Sequence, residues 1–210
     1  SNPMPNALIC IGGNAMKQYN KKYDINNEEY CVYLKDKTEF SIELFNPLQE
    51  KIVCRLIINN KQDGQRGLGI KPGNRVLLDR FLEKNEKFLY ETYIVDKNDE
   101  IAQEAIKYNG IVRVDFYKEK CNFNYSDLCK YPSTYSSNYN ELYPNRWNDA
   151  ICSSLYYVNE IIGKGKESKQ QIEYKNMSHE NFPFFSITIK IMPYEQLLLD
   201  KKDKTYISNT

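Results

Sequence analysis

Alternation of apolar and polar residues with a period of two, sustained from Leu34 to Glu119, constrains this chain more than any other feature. In Thr38-Glu39-Phe40-Ser41-Ile42-Glu43-Leu44-Phe45, the residues Phe40, Ile42 and Leu44 fall on one side, and Glu39, Ser41 and Glu43 on the other. Successive side chains of an extended strand point to opposite faces, so this period predicts strands that each bury one face. Lys51 to Ile58, Arg75 to Phe81, Lys87 to Val95 and Ile111 to Tyr117 continue the pattern, with turn residues between them. The fold class implied is mainly β: an antiparallel, jelly-roll-like β-sandwich. The expected core is Phe40, Ile42, Leu44, Cys54, Leu56, Val76, Leu78, Val112, Val114, Phe116, Ile187 and Ile189. Between Ile52 and Val53 the inward face is undecided, because both alternations are apolar there.

The punctuation is explicit. Asn46-Pro47 ends one strand, since proline removes a ladder donor and restricts the residue before it. Asn59-Asn60 through Gly67 reads as a polar hairpin connection. Lys71-Pro72-Gly73-Asn74 places Pro and Gly at the central positions of a type II turn, which requires a positive φ at Gly73. From Val95 to Ile111 the period lengthens: Ile101, Ala105 and Tyr108 predict a short helix with Asp96 or Asn98 as N-cap and Asn109-Gly110 at its end.

Outside this module the character changes. Residues 1–28 read as an extended N-terminal arm, rich in Asn, Pro, Lys and Gly, whose deletion should leave the sandwich folded. Residues 29–120 form the sandwich. Residues 121–183 read as a Tyr-rich insertion placed before the last strand, with a helix at about 146–162 from the spacing of Trp147, Ile151, Leu155, Val158 and Ile162. Residues 184–210 supply the last core strand, Phe185 to Ile191, then a short helix at Leu197-Leu198-Leu199 and a polar tail. The expected helix content is thus one or two short segments.

Charge limits the partner classes. Lys plus Arg number 29 against 28 for Asp plus Glu, giving a net charge of +1 with the two signs interspersed. Nucleic-acid binding draws on clustered positive charge that displaces counterions, so none is expected. Ala7 to Ile11 is apolar but short for a secretory h-region, and no run approaches the ~20 apolar residues of a membrane span, so no membrane partner is expected either. The six cysteines include no CxxC pair. Cys31 and Cys54 sit in apolar strand patterns, and reduced structural thiols are the expectation, with the even count leaving disulfides open.

Chemistry-bearing residues are sparse. His179 is the single histidine and stands in a polar stretch, so a solvated loop is expected there rather than a His-dependent triad. Gly64-Gln65-Arg66-Gly67-Leu68-Gly69 superficially resembles a phosphate cradle. It lacks the Lys-Ser/Thr ending and does not precede a helix, so it reads as a turn connection. Glu39, Glu43, Asp79, Glu83 and Glu91 invite a paired-acid hydrolase reading. Each falls on the polar side of its strand or at a strand end, which favours a solvated face. No catalytic, cofactor-binding or metal-binding residue is assigned, and no cofactor is expected. The candidate partner contacts are Tyr125, Tyr131, Tyr135, Tyr139, Tyr143 and Trp147, since Tyr presents large amphipathic area at low entropic cost.

Three stretches carry a family resemblance: Leu34 to Pro47, Ile70-Lys71-Pro72-Gly73-Asn74-Arg75-Val76-Leu77-Leu78-Asp79-Arg80-Phe81-Leu82 with Lys87 to Tyr93, and Asn109 to Tyr117. Together, over roughly residues 30–120, they resemble β-rich virion structural proteins of large tailed phages, notably the crAss-like group, and similar proteins of some large DNA viruses of protists. The resemblance implies a non-enzymatic minor capsid, decoration or head-fibre-base subunit that binds the major capsid protein or other virion subunits, with homo-oligomerisation open. Its location would be the virion, assembled in the host cytoplasm. No catalytic position carries over. The alternative is a carbohydrate- or host-receptor-binding β-sandwich module, in which exposed Tyr and Trp147 stack on sugars.

Overall fold

The computed structural model of the chain describes residues 3–24, 26–96, 98–120, 156–173 and 178–199. Its strands are β1 (Asn6–Ile11), β2 (Asn14–Ala15), β3 (Tyr19–Asp24), β4 (Asn27–Leu34), β5 (Thr38–Phe45), β6 (Ile52–Ile58), β7 (Lys61–Ile70), β8 (Arg75–Leu78), β9 (Glu86–Asp96), β10 (Ile111–Lys118), β11 (Tyr156–Glu167) and β12 (Phe185–Pro193), with helix α1 (Glu100–Ile106) between β9 and β10. A second short helix covers residues 194–199.

The strands make two sheets. The first runs β11-β9-β5-β1-β2, with β8 also on β5; the second runs β3-β4-β12-β10-β6-β7. The β-sandwich expected from the alternation is therefore the fold. One ladder departs from the antiparallel rule: β4 and β12 pair in parallel from Ser186↔Asn27 to Pro193↔Leu34. In the first sheet β8 and β9 lie end to end along β5, with Leu78 opposite Ile42 and Phe88 opposite Phe40. The chain leaves that ladder after Leu78 and returns at Phe88. The excursion is closed by an Arg80↔Lys87 bridge and by a Phe81 N–H bond to Glu86 O at 3.1 Å.

Inner faces of both sheets supply one core. Phe40, Ile42, Leu44, Cys54, Leu56, Leu78, Val112, Val114, Phe116, Ile187 and Ile189 are buried as the alternation requires, while Val76 is partly buried against them. Phe40 stacks on Phe88 with ring centroids 5.4 Å apart, and Phe81 meets Phe88 edge-on at 4.8 Å. Each fully buried large apolar side chain contributes roughly 1.5–3 kcal/mol. Ile52 joins this core; Val53 is equally buried but outside the core cluster.

The turns follow their residue types. Asn59 and Asn60 have φ of 50° and 60° and join β6 to β7 across the Ile58↔Lys61 pair, so the connection expected to run through Gly67 is only two residues long, both left-handed, and Lys61 already begins β7. Gly73 has φ 69°, and Asn74 N–H reaches Lys71 O at 3.2 Å, as the type II reading requires. Asn46 is fully buried: its Nδ2 donates to Glu50 O (2.8 Å) and Ile70 O (3.0 Å), and its Oδ1 accepts from Leu48 N.

Four expectations are corrected. Residues 1–28 are not an extended arm. β1 pairs with β5 from Asn6↔Phe45 to Cys10↔Ser41, and Ala7, Ile9 and Cys10 are fully buried. Apolar residues on both sides of this short strand hide its period. The helix expected at about 146–162 does not extend over 156–162, which lies in β11 and pairs with β9 from Tyr156↔Asp96 onward; residues 146–155 lie outside those described. A helix there would leave the β9 backbone edge unpaired, and ladder formation overrides the helical spacing. Gly64 to Gly69 belongs to β7 rather than to a turn, with a register irregularity opposite Cys54/Leu56. Helix α1 is capped by Asp99, whose side chain accepts from Ala102 N, rather than by Asp96 or Asn98, and Ile101 is 85% exposed rather than packed inward.

Candidate functional site

Where the end of β12 meets β11 and the α1–β10 connection, four kinds of reactive group gather. Alternation along β12 sends Ile187, Ile189 and Ile191 into the core and Lys190 the other way, yet Lys190 is only 6% exposed. Its ammonium forms an ion pair with Glu160 of β11, itself 8% exposed. The same Nζ donates to Asn109 O at 2.7 Å, and Asn109 Nδ2 donates to the Tyr93 hydroxyl at 2.9 Å. Gly110, at φ 71°, leaves the space that Glu160 occupies, since a Cβ there would overlap Glu160 Cγ and stand 3.2 Å from Ile191 O. Asn59 closes the cluster: its Oδ1 accepts from Gly110 N (2.9 Å) and Ile162 N (3.3 Å), and its Nδ2 donates to Ile162 O at 2.8 Å.

Burial pushes the Glu160 carboxyl up from its ordinary value, and the Lys190 charge draws it part-way back. Burial likewise raises Tyr93, against the Asn109 hydrogen bond to its oxygen. The cluster thus links an amine, a carboxyl, a primary amide and a phenol through successive contacts, with Lys190 and Glu160 buried and Asn109 and Tyr93 half-buried.

Two further polar groups are closed upon themselves. Arg113 forks onto Asp115 at 2.7 and 2.9 Å, and Ser186 Oγ donates to the same carboxylate at 2.7 Å. Asp79 accepts from Ser168 Oγ at 2.6 Å. Gln170 accepts from Asp79 N and donates to Leu77 O, and Arg80 donates to Gln170 O, tying the β8–β9 excursion to the segment after β11. The remaining strand acids are also engaged: Glu43 with Arg75 (2.6 Å), Glu39 with Lys87 (3.7 Å), Glu91 with Lys37, and Glu83 with Gln65 N (3.2 Å). Such pairing leaves Glu39, Glu43 and Glu91 as structural partners on the strands and Glu83 as one on the β8–β9 excursion.

The sequence-derived contact residues Tyr125, Tyr131, Tyr135, Tyr139, Tyr143 and Trp147 lie outside the described residues. His179 is less free than a solvated loop residue, since it bridges to Glu119 and its ring lies 4.5 Å from that of Tyr117. Cys10, Cys31 and Cys54 are buried; Cys121, Cys129 and Cys152 fall outside the described residues. Among the described residues no His/Cys/Asp/Glu group could hold a metal ion, and no helix is long and apolar enough to cross a membrane. Several large apolar side chains face solvent: Ile94 (70%), Ile101 (85%), Phe182 (69%) and Leu199 (54%).

The Glu160–Lys190 cluster was not legible in the sequence. Lys190 occupies the polar position of a strand alternation, and a buried pair looks the same there as a solvated lysine. The signal that bears on it is Asn109-Gly110, a left-handed corner that brings the backbone close to β11 and β12. Compared with protein-family models, curated proteins and solved structures, the chain gives no significant match.

Proposed function

We propose that this chain is a non-enzymatic structural subunit of a virus particle, a minor capsid, decoration or head-fibre-base protein that binds the major capsid protein. The observation that carries the reading is the exposure of Ile94, Ile101, Phe182 and Leu199 on a molecule whose interior is already filled by its two sheets. Burying such side chains against a partner would remove apolar area from water. A second support is the engagement of the strand acids, which places them in ion pairs and backbone bonds. The resemblance of residues 30–120 to virion proteins supplies the identity of the partner.

Quantitative mass spectrometry of purified particles tests this. A structural subunit is present at fixed stoichiometry to the major capsid protein and remains through high-salt washing. Its absence from particles, with specific binding of the purified chain to a glycan array, would overturn the reading in favour of a receptor-binding module.

A further inference from the structure

We propose that Lys190 and Asn109 are the partners of an intramolecular isopeptide bond, formed by the protein itself with Glu160 as proton carrier. The nucleophile and the proton carrier are already paired, and the nucleophile also touches the main chain of the residue that bears the acyl donor. Lys190 Nζ touches both Glu160 and the main-chain oxygen of Asn109, at 2.7 Å, so the side-chain amide it has to reach belongs to a residue it already contacts. The leaving nitrogen, Asn109 Nδ2, is held by the Tyr93 hydroxyl at 2.9 Å. Lys190 and Glu160 are each more than nine-tenths buried, which keeps competing water from the amine and the proton carrier, and Asn109 beside them is half-buried. The strands also permit the link, because Ile111 stands opposite Lys190 in the β10–β12 ladder and Asn109 lies two residues before Ile111.

The step balances without a co-reactant. The Lys190 ammonium gives one proton to the Glu160 carboxylate. The amine lone pair attacks Asn109 Cγ, and the carbonyl π pair moves to oxygen. Glu160 then protonates Nδ2 and recovers a proton from the attacking nitrogen. The carbonyl re-forms as the bond from Cγ to Nδ2 breaks. One amide is exchanged for another; the Asn nitrogen leaves as ammonia and takes the proton that Glu160 still holds, departing as ammonium and returning Glu160 to its carboxylate. Glu160 serves in both directions, and its burial suits it to hold a proton between the two steps. The product would tie β12 covalently to the α1–β10 connection.

Intact mass measurement of the full chain, 24.8 kDa by sequence, decides the matter. The expected mass is lower than the sequence mass by one ammonia. Tryptic digestion should give a branched peptide joining the Lys190 and Asn109 segments, with no cleavage after Lys190. Glu160→Gln should restore the full mass and the cleavage. A wild-type chain at full sequence mass overturns the proposal, and needs no variant to do so. Loss of ammonia with Lys190 still cleavable also overturns it, because that result identifies a cyclic imide at Asn109-Gly110 instead. A bond that forms to completion in Glu160→Gln removes Glu160 from the role assigned to it.

Discussion

At the residue scale, Gly67 shows how little space separates β6 from β7. A Cβ at this position would overlap Val53 Cγ1 and stand 2.9 Å from Cys54 O, which is backbone and cannot turn aside. Gly67→Ala is therefore expected to destabilise by about 1–3 kcal/mol through overpacking, read as a lower urea midpoint at unchanged slope. The glycines from Gly64 to Gly69 resemble turn residues in the sequence, but Gly67 serves the close approach of two strands, and composition does not separate the two uses. Tyr90 gives the opposite sign. It is fully buried, and its hydroxyl finds no hydrogen-bond partner among the described residues. Tyr90→Phe removes that desolvated group at nearly constant shape and should raise stability by about 1 kcal/mol, seen as a higher melting temperature. Asp63 adds a pH signature. Burial raises its carboxyl above the ordinary 3.8, although Leu82 N donates to it at 2.7 Å. An acid raised in the folded state holds its proton more firmly there than in the unfolded chain. Its contribution is therefore most favourable below 3.8 and is lost as pH rises from there through the higher folded value. Asp63→Asn, which keeps an acceptor for Leu82, should show a stability advantage over wild type that grows as pH rises above about 4 and then levels off, measured by urea midpoints at each pH.

At the element scale, the β6–β7 turn separates conformational demand from side-chain demand. Asn59 and Asn60 are both left-handed, but only Asn59 reaches outward, holding Gly110 N and both backbone groups of Ile162. Asn60→Gly should be neutral or slightly stabilising, because glycine adopts positive φ without strain. Asn59→Gly keeps the turn and loses the clasp, leaving buried backbone groups short of partners, and should cost about 1–3 kcal/mol. Equal melting temperatures for the two variants would refute the distinction. The same pair shows where sequence reading works. Turn chemistry is local, so the left-handed Gly73 and the ends of β5 and β10 follow from residue type. β11 is not local: its pairing with β9 is decided by an edge distant in sequence, and the apolar spacing up to Ile162 fits a helix equally well. Ile101 fails for a related reason, since a helix of one or two turns cannot fix by its own period which side meets the sheet.

At the scale of the whole molecule, the first strand tests whether the sandwich is one cooperative unit. β1 lies inside the first sheet, between β2 and β5, and its Ala7, Ile9 and Cys10 are fully buried. Gln18, beyond β2, accepts from Ile9 N at 3.2 Å and donates to Ala7 O at 3.4 Å, so the segment is held on both sides. Removing residues 1–18 would expose the Ser41–Phe45 edge of β5 and open the core over Ile42 and Leu44, which have no access to water in the intact fold. Ile9 alone represents roughly 1.5–3 kcal/mol of burial, and the lost ladder and opened neighbours add to it, against a typical domain stability of about 5–15 kcal/mol. The bared edge would also be a template for pairing between chains. The truncated chain is therefore expected to lose its cooperative thermal transition and to aggregate, as read by circular dichroism and size-exclusion chromatography. A soluble monomer that melts as sharply as the full chain would return residues 1–18 to the status of a dispensable arm. The polar composition of residues 1–28 argues for such an arm, but a strand of six residues needs only Ala7, Ile9 and Cys10 turned inward to belong to the core.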